Sequence, residues 1–200
     1  MTKDMTSGNP LKMILFFSFP VLLGNIFQQF YNMVDTIIVG QYLGEEALAA
    51  VGSTGCLMFL VLGFANGIAQ GFGVMISHAF GAKDFRLLKH YVALSLMLTL
   101  IVSVILTIPT VAASKAFLIL MKTPDNILGL ADSYIKVIFA GIILTMSYNV
   151  ASGILRGIGD SKTPLYFLIL SSVLNIGLDL FFIIVVKLGT AGAAYATIIA

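Results

Sequence analysis

Charge is what this sequence has least of. Only 10% of its 200 residues are Asp, Glu, Lys or Arg, against 59% hydrophobic, and the mean hydropathy is +1.04. A soluble domain of this length needs a charged shell around its core, so that scarcity excludes one. Cysteine is nearly absent too. Cys56 stands alone in an apolar run, which rules out a disulfide within the chain and any Cys-based metal site. The formal net charge of +2, spread over short loops, excludes nucleic acid as a partner. No HExxH, nucleophile elbow or phosphate-binding glycine loop is found, and His78 and His90 flank a loop without ligands at useful spacing, so an enzyme is not expected and no cofactor is called for. Low-complexity segments and internal repeats are missing as well.

What fills the chain is apolar runs of about 20 residues or more, enough to cross roughly 30 Å of hydrocarbon. The reading is an all-α, polytopic membrane helix bundle. Spans are expected at about Lys12 to Ile38, Ala47 to Phe80, His90 to Ala113, Asn126 to Leu155 and Pro164 to Val186, with Gly40, Gly44, Gly81, Pro124 and the stretch Gly157 to Pro164 as punctuation. A sixth run opens near Thr190 and reaches only half a span at Ala200. Residues 1–200 thus read as one transmembrane lobe of five complete helices and part of a sixth, and the natural product is expected to continue. The polar start, Met1 to Lys12, leads into a run too long for a signal peptide. Seven cations (Lys3, Lys12, Lys83, Arg86, Lys89, Arg156 and Lys162) fall on the N-terminal side of the bundle, and four (Lys115, Lys122, Lys136 and Lys187) on the other with Glu45 and Glu46. By that bias the N-terminus is cytoplasmic.

Two carboxylates interrupt the spans, Asp35 and Asp179. An ionised group there costs several kcal/mol or more unless partnered, which marks it for function. Counted from the outer loops at 1.5 Å per residue, the two differ in depth by only a few Å. Asn175 lies one turn from Asp179 on the same face, and Thr197 of the sixth run matches that depth. Such an oxygen-rich niche suits Na⁺, or a proton shared between carboxylates. Asn25, Gln28, Asn32 and Asp35 fall within an arc of about 80° on span one and are expected to line a substrate cavity, together with Tyr148 of span four. Tyr134 enters at nearly the depth of the aspartates and is a candidate partner for them. Pro20, with Gly24 one turn on, is expected to kink span one or let it hinge. Plainer readings stand beside these. Asp35 can snorkel or end its helix, Asp179 can hold a structural pair, and Thr197 can bond its own backbone. The span-one amides can be interhelical glue, Tyr134 an interface-belt aromatic, and Gly63, Gly67 and Gly71 a packing ridge.

These residues resemble a known family. MVDTIIVGQYLGEEALAAVG in span one, ILRGIGDSKTPLYF between spans four and five, NIGLD in span five and LGTAGAAYATIIA opening span six are together similar to the multidrug and toxin extrusion (MATE) transporters. The resemblance implies a twelve-helix protein of two six-helix lobes, of which this chain supplies nearly all of the N-terminal lobe while the C-terminal lobe is missing. In the DinF-like branch, it further implies a cation or proton site at Asp35, Asn175, Asp179 and Thr197, a nearby tyrosine at Tyr134, and a bending proline at Pro20.

The function that follows is antiport at the plasma membrane, exporting small organic, often cationic, compounds in exchange for Na⁺ or H⁺. Two rivals remain. A lipid-linked oligosaccharide flippase would be expected to line its cavity with cations, of which the spans offer almost none. A non-transporting assembly subunit would dimerise through an open face with the Gly63 ridge in contact.

Overall fold

The computed structural model describes residues 10–200. Lys3, one of the cations counted above, lies outside the described residues. Among them the chain is entirely helical: α1 (Pro10–Leu43), α2 (Glu45–Gly81), α3 (Phe85–Leu120), α4 (Asp125–Ala140), α5 (Ile142–Gly157), α6 (Lys162–Leu180) and α7 (Thr190–Ile199), with a π-helical turn (Phe181–Val185) continuing α6. Four of these are long and apolar enough to cross a membrane, α4 and α5 together make a fifth, and α7 is a shorter apolar helix. This is the all-α membrane bundle expected from the composition.

The long helices outrun the apolar stretches that announce them. At 1.5 Å per residue, 34 to 37 residues reach about 50 to 55 Å, well beyond the hydrocarbon. Their polar ends stay helical because they are capped. Asp84 accepts the Leu87 N–H at 2.9 Å to open α3, and Glu45 and Glu46 sit in the first turn of α2, where the helix dipole favours anions. Paired bonds, Lys83 N–H to Phe80 and Asp84 N–H to Ala79, close α2 in a Schellman turn with Lys83 left-handed. α1 and α2 are joined by Gly44 alone, at φ 86° and ψ −177°, a conformation open essentially to glycine.

Two expected spans carry interruptions that the apolar pattern does not announce. Span four is not one helix: α4 and α5 meet at Gly141 with a 48° bend. Ile198 of α7 lies over that glycine so closely that a Cβ would stand 2.5 Å from its Cδ1 and Cγ1, so the break is where a neighbouring side chain takes up the space beside the backbone. Span five changes pitch immediately after Asp179, where the π turn accommodates an extra residue.

The core runs through the bend. Ile135, Phe139, Ile142 and Met146 are fully buried among α2, α3 and α7. α3 turns a row of small hydroxyls inward, Ser95, Thr99, Ser103, Thr110 and Ser114, most of which bond their own helix, which lets neighbouring backbones approach. Close α2–α5 packing uses Gly73, Gly153 and Gly157; a Cβ on Gly157 would stand 3.2 Å from the Gly73 carbonyl oxygen. The ridge singled out in the sequence, Gly63, Gly67 and Gly71, does not take part. It is exposed with nothing within 4 Å, because Val61, Ala65 and Ala69 occupy the opposite, buried face of α2. Lys136, counted above among loop cations, is on α4, paired with Asp132 at 2.6 Å, while the other oxygen of Asp132 accepts from Ser114 of α3 at 2.6 Å.

Candidate functional site

α1, α6 and α7 meet where the sequence placed its polar residues at one depth. The Asp35 and Asp179 carboxyl groups face each other across α1 and α6, close enough that two ionised groups there would repel. Asp179 and Asn175 are essentially completely buried, and Asp35 is half-buried. With its amide oriented to satisfy its neighbours, Asn175 donates to Asp179 Oδ2 at 2.8 Å and accepts from the Thr197 N–H at 3.2 Å. The Thr197 hydroxyl donates to its own helix at Ala193 O, 3.0 Å away, leaving its lone pairs for an incoming donor. Tyr134 is buried on α4 within electrostatic range of both aspartates.

One residue of this cluster escaped the sequence reading. Tyr31 lies beside the Thr197 side chain and within electrostatic range of both carboxyl groups. Its signal was present, since it lies four residues before Asp35 and hence on the same face of α1. With it the neighbours form a circuit: Tyr31 on α1 beside Thr197 on α7, the Thr197 N–H bonded to Asn175 on α6, Asn175 bonded to Asp179, and Asp179 facing Asp35 on α1.

Two oxygens in this circuit are buried without any partner, Asp35 Oδ1 and Asp179 Oδ1. Buried acceptors left unpaired cost about 1 to 3 kcal/mol each, and more when charged. A small cation or a second proton would satisfy both. The donor set of two carboxylates, an amide and a hydroxyl is the hard-oxygen chemistry of Na⁺. No group of three or more His, Cys, Asp or Glu side chains is gathered here or elsewhere among the described residues.

The expected substrate-lining residues divide. Asn25 lines a cavity of about 1030 Å³ between α1, α2 and α5, but Gln28, Asn32 and Tyr148 are not part of its wall. Asn32 lies seven residues, about 10 Å, further along α1, and its amide turns to Gln29 Oε1 at 3.2 Å. Tyr148 is exposed, and its neighbour Asn149 faces the cavity instead. Asn66 and Gln70, also in the wall, were passed over because α2 reads as an apolar span. At Pro20 α1 continues as one helix, with Gly24 against Leu168 of α6.

The MatE family model matches residues 20–181. The probable multidrug resistance proteins YpnP and YoeA of Bacillus subtilis (strain 168) are 36% and 38% identical over 98% and 92% of this chain, which spans 44% and 40% of theirs. A solved MOP superfamily transporter from Pyrococcus furiosus, described as having a binding pocket of reverse polarity that suggests a different function, superposes with a TM-score of 0.91 at 35% identity, over 98% of this chain and 43% of its own. The chain thus spans less than half the length of these relatives, and with its match to the family model over residues 20–181 it belongs to the multidrug and toxin extrusion, or MatE, family of multi-pass membrane proteins.

Proposed function

We propose that this lobe serves a secondary antiporter that exports small organic compounds in exchange for Na⁺ or H⁺, and that Asp35 and Asp179 are its coupling element. The observation that carries the reading is the contact between two carboxyl groups from different helices, each with one buried oxygen unpaired. Two ionised groups facing each other in a buried site repel, so the pair exists with a proton, with a cation, or apart. Each choice favours a different relation between α1 and α6, and a ligand that binds one state better shifts the population toward it. Pro20 supplies the point at which α1 can bend, since it removes a backbone hydrogen bond inside that helix. The four site residues follow the DinF-like pattern. The working arrangement is a plasma-membrane protein with its N-terminus in the cytoplasm and a companion six-helix lobe.

Proteoliposomes holding the protein, given an inward Na⁺ or H⁺ gradient, test the proposal. Asp179→Asn keeps the side chain's size and removes its ionisation, and is expected to abolish gradient-driven export. Wild-type rates with unchanged ion dependence would sink it.

A further inference from the structure

We infer that the cavity between α1, α2 and α5 binds amphiphilic anions: an aromatic or aliphatic body bearing one carboxylate, sulfonate or phosphate group. It is not the carboxyl site. Asn25 in its wall is ten residues, about 15 Å, along α1 from Asp35. Its polarity is also opposite. No Asp or Glu side chain lines it among the described residues, whereas Lys83 and Arg156 do. The acids next in sequence to the wall are already engaged: Asp84 caps α3, and Asp160 accepts from Lys162 and Thr163. Arg156 makes no side-chain ion pair among the described residues, and its planar fork matches an oxyanion bidentately.

The rest of the wall suits the rest of such a molecule. Asn25, Asn66 and Gln70 make no side-chain hydrogen bond among the described residues, so their amides are available to a polar ligand in a membrane segment where unmet polarity is costly. Phe17 and Phe80 offer ring faces, and the α2–α5 contact through Gly73, Gly153 and Gly157 leaves a smooth floor. About 1030 Å³ is at the upper end of the range for drug-sized ligands. An anionic lipid headgroup with its chain and a soluble organic anion share this chemistry.

The inference stands apart from the exchange reading, because binding is read without a gradient or flux. Equilibrium dialysis of anilinonaphthalene sulfonate against the chain in phosphatidylcholine nanodiscs, less empty nanodiscs, is expected to show one saturable site. Arg156→Gln should weaken it by about tenfold, the equivalent of 1.4 kcal/mol. Gln70→Leu, at an exposed position, should weaken it by about fivefold, as loss of one hydrogen bond of about 1 kcal/mol does. Lys115→Gln, a cation at the other end of the lobe, should leave it unchanged. Adding phosphatidylglycerol to the nanodiscs identifies the source: competition assigns the site to lipid headgroups, and its lack assigns it to soluble anions. No saturable binding, binding insensitive to both Arg156→Gln and Gln70→Leu, or equally tight binding of tetraphenylphosphonium overturns the inference. Should Arg156→Gln fail to fold, Gln70→Leu carries the same decision.

Discussion

Asp35 and Asp179 are separated by 144 positions in the chain and face each other in the fold. The sequence exposed them because ionisable groups in apolar helices are too costly to be incidental, and depth counting along straight helices was enough to bring them to one level. It gave no access to which atoms are satisfied. That depends on rotation about each helix axis, so Tyr31 was missed although Asp35 on the same face was found. Tyr31 on α1 lies beside Thr197 on α7, and their hydroxyls are expected to tie the two helices: a double-mutant cycle with Tyr31→Phe and Thr197→Val, read as unfolding free energy in detergent, should return a coupling of about 0.5 to 1.5 kcal/mol. Additivity within error would show that no such tie exists. Asp160, in the turn between α5 and α6, behaves differently. Burial opposes its ionisation, but the Thr163 N–H and hydroxyl and the Lys162 N–H outweigh that and hold its carboxyl below the usual aspartate value of 3.8. A lowered folded value means that its stabilisation is fully present above that ordinary value and is lost as pH falls through the lowered one. Asp160→Asn should therefore flatten the acid limb of a stability-versus-pH curve while leaving the dependence above pH 7 unchanged.

At the scale of elements, hydropathy located the spans and misjudged their ends and interruptions. A run of apolar residues marks the part of a helix that lies in hydrocarbon; caps such as Asp84 extend it, and hydropathy is blind to them. The break at Gly141 was unreadable for another reason. Glycines in membrane helices often serve packing alone, and what distinguishes this one is Ile198, distant in sequence and close in space. The same blindness attached packing to Gly63, Gly67 and Gly71 rather than to Gly73, Gly153 and Gly157, since spacing reports a stripe without saying which side of the helix is buried. Gly141→Ala should force Ile198 out of its position and cost about 1 to 3 kcal/mol, as overpacking does elsewhere. Adding Ile198→Ala should recover part of that loss in a thermal melt in detergent; no recovery would place the strain elsewhere.

For the whole molecule, charge is distributed by end. Lys83 in the α2–α3 turn, Arg86 and Lys89 at the start of α3, and Lys162 at the start of α6 lie at the end from which α1 rises, while Glu45 and Glu46 open α2 at the other end. The positive-inside rule then fixes the expected topology. In a Cys56→Ala background, Glu45→Cys should react with a membrane-impermeant maleimide in intact cells, and Lys162→Cys only after permeabilisation. The reverse pattern would invert the orientation and with it the side from which the cavity is reached.

The bend at Gly141 turns α5 into a lever. Its sixteen residues make an arm of about 24 Å, so a rotation of about five degrees at the pivot carries its far tip about 2 Å. Ile198 rests on the pivot and adjoins Thr197 of the ion niche, while Gly153 and Arg156 near the tip form part of the cavity wall. One sixteen-residue helix thus runs from the α7 contact beside the ion niche at one end of the lobe to the chamber wall at the other.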